Sequence, residues 1–564
     1  MTIILDQSNS HHDDQFYERS PMRTVDQLMC AAAHNVDRFA GYVTFMLLHR
    51  LQAGSPSCAD DPVALLRHAV RADRLRVARD IALAVLVVVT MGVDVAMMTT
   101  RSGVHVATAT TLIVAGIVTG RRAMWLGVTA CCSWAWRNRG HPRSGFAVAL
   151  AGVGLISLTV VAWEVQAWRY LVPPAAALLT GYVIVAAERM IAHGRAAAIL
   201  APGAPPPGEL APPLPAKLET RIARLATMNV VVYAQSRAPA PFVGSGMPVR
   251  PWNLAFDVRR GADDGNNGEK IFKQFDLAAF HRCLEESFDI ECRMESTTAR
   301  QLTTGHRLYV DGRHVHRMPD LSPERASMPI DTVDWAYLSD ELRHPERAGS
   351  RRVYFYIQES CRGGELVVAI YLRATLTGGK LSIEIVPQVI PPLHPNFKSA
   401  AGQVSVRRWN RVVDSLRFAV FRAPSAIVDS VGACAVRLGR AAAYRSRRVT
   451  RRLAERLGRT GDVGATMSIR EGVAWTSPDD FDHFVVNDLI QINEHLQERL
   501  IATVKAYLDR LGIDTSCLEE TVRINTTVQN WHIGNVRADM VGFGNNNSFN
   551  GPGPLAGGGA NGGE

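Results

Sequence analysis

The hydrophobic pattern along the chain changes character several times. From Thr24 to Arg50, apolar residues recur at helical spacing (Val25, Leu28, Met29, Ala32, Val36, Phe39), and Asp61 to Arg79 forms a second amphipathic run. Residues 21–79 are therefore predicted to be cytosolic amphipathic helices. Polar positions then nearly vanish. Residues 81–98, 104–120, 146–163 and 171–187 approach the roughly 20 apolar residues that a membrane-crossing helix requires. A shorter apolar stretch, 123–136, is fenced by Arg121, Arg122 and Arg137, and is predicted to be interfacial. Together, residues 80–190 form a transmembrane domain.

Beyond it, residues 201–217 are Pro-rich, a composition that favours an extended spacer. From 218 to 400 the period shortens. Val, Ile and aromatic runs such as NVVVYA at 229–234 and RVYFYIQ at 352–358 read as strands. Leu376-Thr377-Gly378-Gly379 marks a hairpin, because glycine reaches positive φ at little cost. The expected fold is thus a membrane α-helical bundle of about four transmembrane helices, plus a cytosolic α+β domain with a mostly antiparallel sheet. Residues 405–460 read as amphipathic basic helices interrupted at Pro424. Residues 479–520 carry a C-terminal helix whose seam (Val485, Leu489, Ile492, Leu496, Leu500, Val504) suits either a core or a coiled coil. Residues 1–20 and the Gly/Asn-rich 541–564 are too poor in apolar residues to build a core, and are expected to be disordered.

Charge refines this layout. Twelve arginines flank one side of the proposed spans, whereas only Arg101 and Arg169 lie on the other. The positive-inside bias then predicts a bacterial inner-membrane protein with both termini cytoplasmic. The net charge of +9 is mostly local, since residues 437–459 hold nine arginines and one acid, Glu455. Within that run Arg445, Arg447, Arg448, Arg451 and Arg452 are candidates for contact with anionic lipid headgroups. Stacking aromatics are not interleaved with them, so no nucleic acid partner is expected. Asp94, His105 and Glu164 are the intramembrane polar candidates, costly in lipid unless paired or functional.

Motifs that would name a reaction do not emerge. Nine scattered cysteines form no CxxC. Gly265–Lys270 lacks the spacing of a phosphate loop, and Phe242–Gly246 lacks the first glycine of a nucleophile elbow. His314 and His316 sit where one face of a strand would present them, without a third ligand. No catalytic residue, metal or cofactor is assigned.

At Asn229–Tyr233, at Pro241-Phe-Val-Gly-Ser-Gly, at Ser468-Ile-Arg-Glu and at Tyr507–Ser516, the chain resembles a group of actinobacterial multi-pass membrane proteins with a PFVGSG-type cytoplasmic domain. That resemblance implies an integral membrane protein with a large cytoplasmic portion, and lends it no activity, substrate or site. The expected function is a non-enzymatic membrane protein presenting a sensing or scaffolding domain to the cytosol, possible as a homo-oligomer. The alternatives are a transporter or channel subunit using the outer-leaflet acids, and a membrane-bound enzyme acting through the Pro241–Gly246 loop.

Overall fold

A computed structural model describes residues 24–99, 168–398, 408–456, 462–474 and 482–515, apart from short internal breaks. The proposed spans 104–120 and 146–163, the interfacial 123–136, the Gly265–Lys270 turn, both terminal segments, His105 and Glu164 lie outside the described residues. So do the side chains of Asp94 and of the five candidate arginines, although their backbones belong to helices. The architecture is mixed α/β and divides into two compact units. The first is built on the described parts of Met1–Asp73, Ala192–Val406 and Arg445–Glu564; the second, on those of Arg74–Ile191 and Arg407–Tyr444.

The first unit centres on a seven-stranded sheet: β1 (Val230–Tyr233), β2 (Met247–Pro248), β3 (Trp252–Asp257), β4 (Arg300–Asp311), β5 (Arg351–Cys361), β6 (Leu366–Thr377) and β7 (Lys380–Ile390). Strand order is β1-β4-β5-β6-β7-β2, with β3 also on β7, and only the β1–β4 pair is parallel. The antiparallel expectation holds. β6 and β7 are joined through Gly378 and Gly379 at φ of 60° and 84°, two successive positive angles of the kind a type I′ hairpin demands.

One sheet face is apolar. Phe355, Ile357, Val368, Ile370, Leu372, Ile383 and Ile385 alternate onto it, and α6 (Leu277–Glu295) with α10 (His483–Arg510) covers it. Each such fully buried side chain contributes about 1.5–3 kcal/mol. The predicted seam of α10 is buried along its length in this core, so the coiled-coil alternative is not what the described residues display. α10 stops at Gly512, φ 75°, where Ile513 N donates to Leu508 O and Gly512 N to Asp509 O. That is a Schellman cap, and it accounts for the Leu-Gly-Ile of the fourth motif.

The N-terminal helices α1 (Val25–Asn35) and α2 (Phe39–Leu48) share a core with Ile199, Leu393, Phe397 and Ile469. The first amphipathic run is therefore two helices that belong to the core of the sheet unit. The Pro-rich segment departs from its reading as an extended spacer. Pro207 is buried, His68 Nε2 donates to Pro207 O at 2.8 Å, Arg67 to Gly208 O at 2.7 Å and Arg71 to Leu210 O at 2.9 Å. Proline supplies no amide donor to a regular ladder, and here long-range side chains take up the carbonyls of Pro207, Gly208 and Leu210.

The second unit is helical. α3 (Pro62–Thr99) fuses the second cytosolic run and the first proposed span into one helix, and α4 (Trp168–Ile199) contains the fourth. α8 (Arg408–Arg456) is a single helix that continues through Pro424, where two helices had been expected. By length and composition, two described helices could cross a membrane, Ala175–Ile199 and Trp409–Gly439. Only 22% and 17% of these apolar stretches are buried, unlike the core helix of a water-soluble protein. A bundle of four spans is thus not established by the described residues, and the second of these helices was not among the four.

Candidate functional site

Three of the four sequence motifs lie at or beside one cleft in the first unit. α5 (Ala216–Thr227) is followed by Asn229, whose side chain brackets a distant segment: Nδ2 donates to Val333 O at 2.8 Å and Oδ1 accepts from Val333 N at 2.9 Å. Asp331 O accepts from the amides of Asn229 and Val230. The opening of the first motif therefore fixes residues 331–333. On the other side, Ala465 bridges to β1, giving 2.8 Å from Ala465 N to Val232 O and 3.0 Å from Ala234 N to Ala465 O. A Cβ on Gly464 would overlap the Tyr233 carbonyl, so only glycine allows this approach.

The second and third motifs clasp one another beside it. Ser468 and Glu471 form a capping box on the short helix α9 (Ile469–Gly472). Glu471 Oε1 also accepts from Gly244 N and Gly246 N, each at 3.0 Å, and from Arg237 Nη2 at 3.1 Å, while Oε2 accepts from Ser468 N at 2.7 Å. Gly244 and Gly246 stand at φ of 87° and 92°, and this turns both amides toward the carboxylate. The loop's Ser245 is 2% exposed and bonds Tyr371 Oη at 2.6 Å, which Arg307 Nη1 contacts at 2.6 Å. Arg307 in turn lies 4.3 Å over the Tyr356 ring. A serine sealed beneath its loop and bonded to tyrosine is a packing element of this clasp.

Between these braces lies a cleft of about 560 Å³, lined among others by Leu47, Ser55, Arg221, Arg224, Asp331 and Met467. Its size falls within the usual range for small-molecule sites. Arg221 and Arg224 share a face of α5, and Arg221 Nη2 holds Leu47 O at 3.2 Å. Burial raises the Asp331 carboxyl above its ordinary range, against the pull of Arg224 and Arg221. Two cations face one carboxyl, so the cleft is positive on balance.

Of the motifs quoted from the sequence, only Ser468-Ile-Arg-Glu reaches the wall, through Ile469, and none of the candidate site residues lines the cleft. His316 falls in a 3₁₀ turn (Val315–Arg317) after β4 and His314 just before it, neither on a strand, and His314 Nδ1 lies 3.4 Å from Asp311. No set of three or more metal-ligating side chains gathers among the described residues. A buried histidine unmarked in the sequence does stand out. His281 on α6 is fully buried, 5.3 Å ring to ring from His306, which reaches Glu285 at 3.7 Å.

In the second unit, Arg79 pairs with Asp80 at 2.8 Å and Glu188 at 3.3 Å, and Arg437 with Asp80 at 2.6 Å. Asp80 and Glu188 are buried, and this network ties α3, α4 and α8 together where their apolar segments begin or end. Leu83, Val185, Ala419 and Ala423 pack beside it.

A mixed α/β unit with a mostly antiparallel sheet, fused to helices with exposed apolar faces, is the class of protein these observations define. Residues 251–540, just over half the chain, match the family model described as AbeC-like domain, and the chain belongs to that family. The match takes in the Ser468–Glu471 and Tyr507–Ser516 motifs and begins just after the Pro241–Gly246 loop. No curated protein and no solved structure matches the chain.

Proposed function

We propose that this is a non-enzymatic inner-membrane protein that holds a cytosolic sensing domain at the bilayer, with α8 lying in the plane of the inner leaflet. The observation that carries the reading is the course of α8. Arg189 of α4 lies 4.4 Å over the Phe418 ring, and Arg437 bonds Asp80, which Arg79 links to Glu188. Phe418 thus meets α4 near Arg189 and Arg437 meets α3 at Asp80, although a helix rising about 1.5 Å per residue separates the two by roughly 28 Å. Between those two points α8 packs on α4 at Val420, whose carbonyl accepts from Tyr182 Oη at 3.2 Å, and at Ile427, beside Gly181.

Its sequence favours the same placement. At about 3.6 residues per turn, Trp409, Val413, Leu416, Val420, Val431 and Leu438 share one stripe, and all are exposed. Arg411, Asp414, Arg422 and Asp429 fall on the opposite stripe. A spanning orientation would place several of these charges in hydrocarbon, at about 2.5–3.5 kcal/mol each. An in-plane orientation gives lipid to one stripe and water to the other. Arg445, Arg447, Arg448, Arg451 and Arg452 continue the same helix and suit anionic headgroups, each near-surface cation contributing about 1 kcal/mol. Both termini are then cytoplasmic.

Membrane extraction tests the anchoring. After washes with high salt and alkaline carbonate, the full chain is expected in the pellet and is expected to dissolve only with detergent. Recovery in the carbonate supernatant would reduce the apolar helices to a peripheral attachment.

A further inference from the structure

We propose that the cleft between α5 and the 465–469 segment binds a small organic anion with a compact apolar body, its acid group held by Arg221 and Arg224. This names the ligand of the sensing site and so rests on that part of the reading above; the membrane extraction does not depend on it. The walls supply the two halves of such a ligand. Met46, Leu47, Ile222, Leu225, Ile330 and Met467 offer apolar contact, and the two guanidiniums, one helical turn apart, offer forked donors suited to a carboxylate. Arg224 forms no ion pair with a described residue, whereas Arg221 already spends one donor on the Leu47 carbonyl. Asp331 lines the same cleft and offsets part of the pair's charge, leaving one cation in excess.

The cleft is also built to keep its shape. The Asn229 bracket, the Gly464 approach and the Glu471 clasp immobilise the wall segments at 331–333, 465 and 468–471. A Cβ on Gly54 would overlap Leu225, and the amides of Ala53 and Ser57 are bonded to Val463 O and Leu225 O, so residues 53–57 are held against α5. A preformed wall lowers the ordering cost of binding.

The test uses the full chain in lipid nanodiscs, titrated with 3-phenylpropanoate, 3-phenylpropylamine and inorganic phosphate against empty nanodiscs. Only the carboxylate is expected to saturate. Arg224→Ala, at an exposed helical position, is expected to weaken it about tenfold, the scale of one hydrogen bond to a charged group, with an unchanged unfolding midpoint. Equal saturation by the amine would refute the charge preference, and equal saturation by phosphate the apolar one. Saturation by none of the probes, or an unaffected Arg224→Ala, would overturn the site. In any of these cases a carbonate-resistant pellet would leave the membrane reading standing.

Discussion

Glu471→Ala is expected to destabilise the sheet unit by about 3–5 kcal/mol, the usual cost of breaking a buried, multiply bonded charge. The carboxylate is 6% exposed and gathers the amides of Gly244, Gly246 and Ser468 with the Arg237 guanidinium. Truncation leaves three amides without an acceptor, each costing about 1–3 kcal/mol if water cannot reach it. Glu471→Gln keeps an acceptor for the two glycine amides but sets an amide NH₂ against Ser468 N–H, and is expected to lose roughly half as much. Urea unfolding of the full chain in detergent, followed by tryptophan fluorescence, measures both. A loss under about 1 kcal/mol for the alanine variant would mean that the carboxylate is no more than a surface partner.

The second large effect is an acid sensitivity centred on His281. Both ring nitrogens are buried without a hydrogen bond among the described residues, and burial, aided by the neighbouring His306, pushes its pKa well below the ordinary histidine range. The ring is therefore neutral when folded and protonated when unfolded below about pH 6.5. Stability from this group is complete above that pH and falls as the pH drops toward the folded pKa, by up to about 2 kcal/mol at pH 5. Other groups titrate nearby. His68 is also lowered by burial, whereas Asp60 is pushed up to about 7, chiefly by desolvation, and loses stability in the opposite direction as pH rises. The informative quantity is thus the difference between the wild type and His281→Leu. Across pH 7.5 to 5, the variant is expected to lose less stability than the wild type; parallel curves would refute the assignment.

Local patterns were legible where local physics decides the outcome. The Gly378-Gly379 hairpin needs only two residues that tolerate positive φ, and the seam of α10 needs only helical periodicity and a sheet to cover. The stop at Gly512, inside the expected 479–520 helix, was not read from the sequence, although a glycine at positive φ is the usual signal for it. What else remained hidden depends on residues far apart in sequence. The proline segment reads as a spacer until Arg67, His68 and Arg71, some 140 positions earlier, take up its carbonyls. Likewise Arg221, Arg224 and Asp331 reach one cleft from segments about a hundred residues apart, and nothing in their neighbourhoods distinguishes them from solvated charges. The one available signal was Asn229, a polar residue opening a buried strand. For α8, the charge pattern gave the amphipathic character, but Pro424 suggested a break that the continuous helix does not make.

The course of α8 is the feature on which the membrane placement turns, and depth measurement addresses it directly. Spin labels placed singly from Trp409 to Leu438 in the full chain, reconstituted in anionic bilayers, report access to oxygen and to a water-soluble nickel chelate. The expected profile oscillates with a period of about 3.6 residues around one shallow depth, with oxygen favoured at Leu416, Val420 and Val431, and nickel at Asp414, Arg422 and Asp429. A profile that sinks steadily to a single maximum near the middle of the helix and rises again would make α8 a transmembrane span and contradict the account.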